Sequence, residues 1–530
     1  MLVSNYPGAG RPSTVEGMTT GHDIAIVGAG SAGCVLAARL TEDPACRVLL
    51  VEAGPDYPAG RLPADLADGI HGTSTASHDW GLTGTGADGA RPQALPRGRV
   101  TGGSSAVNAT FALRGHPADY DGWDMPGWTF EDVLPAFVRL ERDLDFGEAP
   151  YHGTSGPVPI RRYLGKERSD LTAAVEGAFV AAGLPRVADH NAPGAVGVSA
   201  LPVNCVDGRR ISTALAYLEP ARYRPNLTIR PDCLVQDVAI RAGRAVGVRT
   251  DAGEVLPADE VVVAAGAYGS PAVLLRSGVG PAADLDALRI SSVVDLQGVG
   301  ANLADHPWVS VDLPCAAPDG DPAIFQLVAT ARSSRAARGG APDLQLMVCG
   351  PYPLGDGYAF SLAAALLTPV SRGYLRLRSR DAGVAPEIDL GYFRDGADLA
   401  RLTECLRLVD EASHSGHLPD VTHGTRIGPP REVLADDAST AAWIRAAAMT
   451  YHHPVGTCAM GLDPRGGAVV DPDGHVYGVS GLSVIDASVI PQPPSANTNL
   501  PTIMLAEHLA ARRWTGAGGD LRVAESAAAG

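Results

Sequence analysis

Lysine is almost absent from this chain. Of 42 basic residues only Lys166 is a lysine, and the rest are arginine. Codon bias alone produces such a pattern, so no function is read from it. Charge is also scarce, at 19% of residues, and it is unbalanced: 59 acidic residues leave a net charge of -17. A surface of that sign disfavours nucleic acid and anionic membranes as partners. No apolar run reaches the ~18 residues that a membrane span needs. Residues 1–20 have neither a basic n-region nor an apolar h-region, so no secretory signal is expected. The stretch 1–21 reads as a disordered leader with Met18 as a second candidate start, 517–530 reads as a flexible tail, and the expected location is the cytoplasm. The eight cysteines form no C-x-x-C pair and lack a histidine partner at zinc spacing. Reduced, buried thiols are predicted, and no metal site. Aromatic residues are few, at 5%, and do not require an aromatic-lined pocket. Glycine and proline are plentiful instead, 63 and 42 of 530 residues. They predict many turns and close backbone approaches in a globular chain, long enough for three to four units of about 150 residues.

The first ordered signal is a βαβ pattern. Ile24 to Val27 is a short apolar run suited to a buried parallel strand. Gly28, Gly30 and Gly33 then spell G-x-G-x-x-G, a helix of small residues follows, and a second apolar strand ends in Glu52, 19 residues after Gly33. Each part has a physical task. Gly28 permits the tight turn, Gly30 lets the backbone approach a pyrophosphate, and Gly33 lets the helix pack on the strand. Unpaired N–H groups and the dipole at the helix N-terminus favour the phosphates. Glu52 can accept hydrogen bonds from ribose hydroxyls, and its charge disfavours a 2′-phosphate. Strand, helix, strand and acid in register point to dinucleotide binding, without separating NAD from FAD.

Further along, RGRVTGGSSAVN (97–108) offers a second glycine-rich loop. Residues 226–263 read as short strands that feed back into a core strand at Glu260 to Ala264, followed by a strand–turn–helix with SPAVLLRSG. Residues 307–450 hold strand-like DLQLMVCG (343–350) and GYLRLRSR (373–380). An amphipathic helix then runs from Asp398 to Ala412, with Leu399, Leu402, Leu406 and Val409 on one face. The last part of the chain carries the reactive candidates: TYHHPVGTCAMG (450–461), with adjacent His452 and His453, and a strand ending at Asp486 before a Pro-rich loop and a helix from about Pro501.

Six motifs in order give the chain a family resemblance: VGAGSAG (27–33), GRVTGGSSAVN (98–108), GAYGSPAVLLRSGVG (266–280), GVGANLADHP (298–307), YHHPVGTCAMG (451–461) and DASVIPQPPSANTNLPTIM (486–504). From about residue 22 to 514 it resembles the glucose–methanol–choline (GMC) oxidoreductases, FAD-dependent alcohol oxidases and dehydrogenases. Within them it looks most like the aryl-alcohol and hydroxymethylfurfural oxidase branch, and next like the choline dehydrogenases. The resemblance implies an α/β (α+β overall) fold: a Rossmann-like FAD-binding domain from 22–158, 206–306 and 464–516. A substrate-binding domain of antiparallel sheet flanked by helices comes from 159–205 and 307–463.

It also implies roles. His453, directly before P-x-G-T, is the base, and Asn497 of SANTN its partner. Gly28, Gly30, Ser31 and Gly33 serve the pyrophosphate and Glu52 the adenosine ribose. Arg99, Gly102 and Asn108 lie near the flavin or its phosphates, and Val235 contacts adenine by backbone. Asp486, Ala487 and Thr498 lie by the pyrophosphate and isoalloxazine. Val107 stands where some relatives carry the histidine that links FAD covalently, so noncovalent FAD is expected. Thr101 replaces a usual aliphatic residue, which shifts that loop slightly. Two adjacent residues on a strand face opposite ways, so His452 is either a pocket residue or a structural one, and the structural reading is preferred. The expected reaction takes an alcohol to an aldehyde or ketone, with O2 or another acceptor reoxidising the flavin. A hydroxynitrile-lyase-type enzyme and a secondary-metabolite tailoring oxidase are the alternatives.

Overall fold

A computed structural model describes residues 21–87, 89–416, 418–422 and 426–514. The leader, apart from Gly21, the second candidate start and the tail lie outside them. Two sheets organise the molecule. The first has seven strands in the order Leu227–Arg230, Val48–Val51, His22–Val27, Val255–Val263, Arg244–Thr250, Val235–Arg241, with Leu482–Val484 also paired to Val255–Val263. The nine-residue strand Val255–Val263 joins two patterns. Its C-terminal half runs parallel to both neighbours, Val261 pairing with Ala25 and with Leu482. Its N-terminal half is antiparallel, Leu256 pairing with Val248. Strands covered on both faces read as unbroken apolar runs, and Val48 to Val51 are buried throughout.

Helix Ser31–Leu40 crosses from the first strand to the second and packs against the C-terminal helix Asn499–Arg513. Arg39 reaches the fully buried Glu507 at 2.7 Å, and Ser31 Oγ donates to Asn499 Oδ1 at 2.8 Å.

The second sheet is antiparallel, six strands in the order Met449–Thr450, Pro307–Cys315, Gly357–Leu366, Leu344–Leu354, Leu327–Ala331, Val198–Ala200. Pro307–Cys315 alternates buried and half-buried residues along its length, as a strand with one covered face must. Helix Gly396–Ala412 covers the sheet with Leu402, Leu406 and Val409 inward and Leu399 half-buried. It starts two residues before Asp398 because the Asp395 carboxylate accepts from Ala397 N and caps it.

One expectation is corrected. Of 373–380 only Tyr374–Arg376 is a strand, and it belongs to a separate four-stranded sheet with Glu387–Tyr392, Thr83–Ala87 and Gln93–Ala94. Arg376, Arg378 and Arg380 alternate with the apolar residues, and a run so charged is a poor tenant for a large sheet buried by a helix.

Candidate active site

The two glycine loops build the first half of the site. Gly28 has φ +97°, and a Cβ there would lie 2.6 Å from the Ala264 carbonyl oxygen. A Cβ on Gly33 would lie 1.9 Å from the Gly28 oxygen, so this glycine serves helix–strand packing and does not border the cavity. Gly30 differs: a Cβ there would come no closer than 3.9 Å to any protein atom. The fold itself does not require glycine at 30, and the backbone there lies open to the cavity. The helix behind it has no side-chain cap, which leaves its first N–H groups open.

The second loop leans on the first. Gly102, at φ +97°, donates its N–H to Ala29 O at 2.7 Å, and a Cβ on Gly103 would lie 2.7 Å from Gly30 Cα. Gly103, not Gly102, borders the cavity. Arg210 holds this loop from behind and was not foreseen. Fully buried, it donates to the carbonyls of Asn108, Leu66, Ala106 and Gly72 at 2.8 to 2.9 Å.

Glu52 is buried and accepts from Ala29 N and Gly54 N, each at 2.9 Å. Burial pushes its carboxyl up to about 7 against the pull of those N–H groups. Arg99 stacks over Trp80, 5.0 Å from its ring. Asp486 is committed internally: it accepts from Gly266 N, Ser270 Oγ and Ser488 N, which ties the last strand to the turn after Val263. Gly28, Gly30, Ser31, Glu52, Arg99, Asn108, Val235, Asp486, Ala487 and Thr498 all border one cavity of about 660 Å³.

The same cavity ends at His453 and Asn497. His453 is buried, with Nε2 3.1 Å from Asn497 Nδ2 and Nδ1 3.0 Å from His306 Nδ1. Its backbone N–H donates to Asp305 Oδ1 at 2.7 Å, and the other oxygen of Asp305 accepts from Tyr392 and Thr450 hydroxyls. Burial first, then the neighbouring His306, His452 and Arg97, hold the His453 ring well below the usual histidine range, so it is neutral at physiological pH. Asn497 Oδ1 is buried without a partner. The loop that carries Asn497 is fixed by Ser495, whose N–H and hydroxyl both donate to the buried Asp119.

His452 is not on a strand. It has φ +67°, and this kink turns both histidines of the pair toward the cavity rather than to opposite faces. Its N–H donates to Thr450 Oγ1, its carbonyl accepts from Arg97 Nη2, and its buried Nδ1 has no partner. Phe111, Trp308, Phe325 and Tyr451 border the cavity beside His453, with Met347 and Cys349, so this end of the cavity has an aromatic wall. Burial pushes the Cys349 thiol up to about 12, which removes it as a nucleophile.

Among the described residues Glu141, Asp143 and His152 have the spacing of metal ligands. Arg114 and Arg162 already pair with those carboxylates, so the counter-charge that a cation would supply is in place.

Sequence reasoning missed Asp305 and His306. They stand in GVGANLADHP, a segment that contributed to the resemblance without any role. Nothing in the spacing links residue 306 to 453.

Known proteins match this arrangement along its length. The sequence model for GMC oxidoreductases fits residues 22–308 and its C-terminal counterpart residues 369–506. A 5-(hydroxymethyl)furfural oxidase of Methylovorus sp. (strain MP688) is 36% identical over 92% of this chain and 98% of its own. An oxygen-dependent choline dehydrogenase of Pseudomonas fluorescens (strain Pf0-1) is 36% identical over 93% and 94%. The solved pyridoxine 4-oxidase from Mesorbium loti superposes with a TM-score of 0.84 at 31% identity, covering 93% of this chain and 99% of that one. FAD is the characteristic cofactor of such proteins, and the open cradle at Gly30 suits its pyrophosphate. No helix among the described residues is long and apolar enough to cross a membrane. With matches of this length in both halves, the chain belongs to the GMC oxidoreductase family of flavoenzymes.

Proposed function

We propose that the protein oxidises a neutral, aromatic-type primary alcohol to an aldehyde, with His453 as general base and Asn497 as the hydrogen-bond partner of the substrate oxygen. The observation that carries the reading is the His453–Asn497 pair, 3.1 Å apart at the apolar end of the cavity whose other end is the dinucleotide cradle. Noncovalent FAD is held in this reading by Gly28, Gly30, Ser31, Glu52, Arg99, Asn108, Val235, Asp486, Ala487 and Thr498, with Gly33 and Gly102 shaping the two loops. Bound FAD supplies the hydride acceptor.

A hydroxyl entering between His453 and Asn497 replaces their mutual hydrogen bond. Its proton goes to Nε2, and its oxygen accepts from Asn497 Nδ2. A neutral imidazole is the form that can take the proton. The aromatic wall excludes water and orients the carbinol carbon.

Among the described residues the two carboxylates that border the cavity, Glu52 and Asp486, both belong to the cofactor end. A flat neutral ring finds Trp308, Phe325 and Tyr451 beside His453, and the carboxylate nearest to it, Asp305, is already committed to the His453 backbone and to the Thr450 and Tyr392 hydroxyls. Oxygen serves as the electron acceptor in this reading, as the names of the oxidase and oxygen-dependent relatives suggest.

The test is the visible spectrum of the purified holoenzyme under anaerobic conditions. Hydroxymethyl aromatics bleach the flavin, choline does not at equal concentration, and admitted air restores the colour. A flavin that stays oxidised with every alcohol overturns this reading and leaves the lyase or a tailoring oxidase for a large substrate.

A further inference from the structure

We propose that Asp305 and His306 are a positioning pair: one residue fixes the backbone of His453, and the next fixes its tautomer so that the bare nitrogen is Nε2, facing Asn497. This rests on the reading of His453 as the base and deepens it.

The argument begins with one proton. His453 Nδ1 and His306 Nδ1 are 3.0 Å apart, and both rings are buried. A nitrogen–nitrogen contact of that length holds a single N–H, carried by one ring or the other. If His306 donates, His453 Nδ1 is the acceptor and the neutral His453 carries its proton on Nε2. That N–H then meets the N–H groups of Asn497 Nδ2 at 3.1 Å, donor against donor. If His453 donates, Nε2 is bare and accepts from Asn497.

Asn497 selects the second arrangement, because its Nδ2 can only donate and needs a bare Nε2 on His453. With His306 Nδ1 accepting from His453, the proton of the neutral His306 sits on its Nε2. Burial holds His306 neutral, down to about 3, so it does not bring a second proton to the contact. Asp305 completes the clamp by accepting the His453 backbone N–H at 2.7 Å, while Thr450 and Tyr392 hold its other oxygen. The ring is thus held at its peptide and at Nδ1, and only Nε2 is left for the substrate. The groups facing His453 are His306, His452, Tyr451, Asn497, Asp305 and Arg97, and none of the others offers Nδ1 an acceptor.

The experiment is nitrogen NMR of the holoenzyme labelled with 15N-histidine, with His453 assigned by its loss in His453→Gln. The expected wild-type spectrum shows His453 protonated at Nδ1 and bare at Nε2. In His306→Leu the acceptor is gone and the His453 signals move toward a tautomer mixture. In His306→Asn the side-chain oxygen accepts in its place, and the signature returns. Anaerobic flavin reduction follows the same order: roughly 10²-fold slower in His306→Leu at unchanged alcohol affinity, and largely rescued in His306→Asn. A wild-type spectrum with the proton on Nε2, which needs no variant to fold, overturns the proposal. So does a His306→Leu spectrum identical to wild type. Full activity in His453→Gln instead overturns the base reading itself, and so separates the two failures.

Discussion

Two buried histidines of this protein have opposite electrostatic fates. His152 is enclosed by carboxylates: Glu141 at 2.7 Å, Asp143 at 3.3 Å and Asp189 at 2.9 Å. His453 is enclosed by His306, His452, Arg97 and an amide. Burial works against the charged form of both. At His152 the hydrogen bonds to Asp189 and Glu141 outweigh it and raise the pKa. At His453 the neighbouring His306, His452 and Arg97 act in the same direction as burial and lower it further. Around His152 the groups pair: Glu141, Asp143 and Asp189 face Arg114, Arg162 and the His152 ring. That is a structural knot joining 141–162 to 189. Around His453 no carboxylate touches the ring, so the ring is neutral with a lone pair to give. The surroundings, not the residue type or its burial, separate a histidine that holds its proton more tightly from one that stays neutral.

The comparison can be broken most strongly at His453. His453→Gln is expected to slow anaerobic flavin reduction roughly 10²- to 10⁴-fold, with little change in thermal midpoint. Arg162→Met should do the reverse. It leaves Asp143 and Asp189 buried without their cation and costs about 3–5 kcal/mol in denaturant unfolding, while the reduction rate of the folded fraction is unchanged.

A smaller effect lies in the pH dependence of stability. The pKa of His152 is raised above its ordinary 6.5, so its contribution is complete below pH 6.5 and is lost as pH rises through the raised value. Thermal midpoints of the wild type should fall over that range, and His152→Gln should flatten the slope. Catalysis should titrate in the opposite place. The pKa of His453 is lowered, so kcat/KM is flat around neutrality and falls only on the acid side of 6.5. Arg97→Met removes one nearby cation, and a modest upward displacement of that acid limb is the smallest effect expected.

Much of the cofactor half was legible because its demands are local. Gly28 must turn at positive φ, and Gly33 must admit the backbone oxygen five residues earlier, so both are written as glycine within one short segment. The strands and helices around them follow from apolar runs and helical periodicity. The pair His453 and Asn497 was legible only through resemblance, since the two lie 44 positions apart. The orientation of His452 was misread because strand alternation was assumed where the chain adopts φ +67°. Arg210 gave no signal, as its partners are backbone carbonyls, which leave no trace in side-chain identity.

The sequence by itself determined where the backbone can turn, which faces are apolar and which residue types are available for proton transfer. The tertiary structure alone decided the state of those residues. His306 is 147 positions from His453, and Arg97, Asp305 and Tyr392 arrive from other elements. The field at a ring nitrogen is set by whichever charges and dipoles lie within a few ångströms, and that is a property of packing, not of order along the chain.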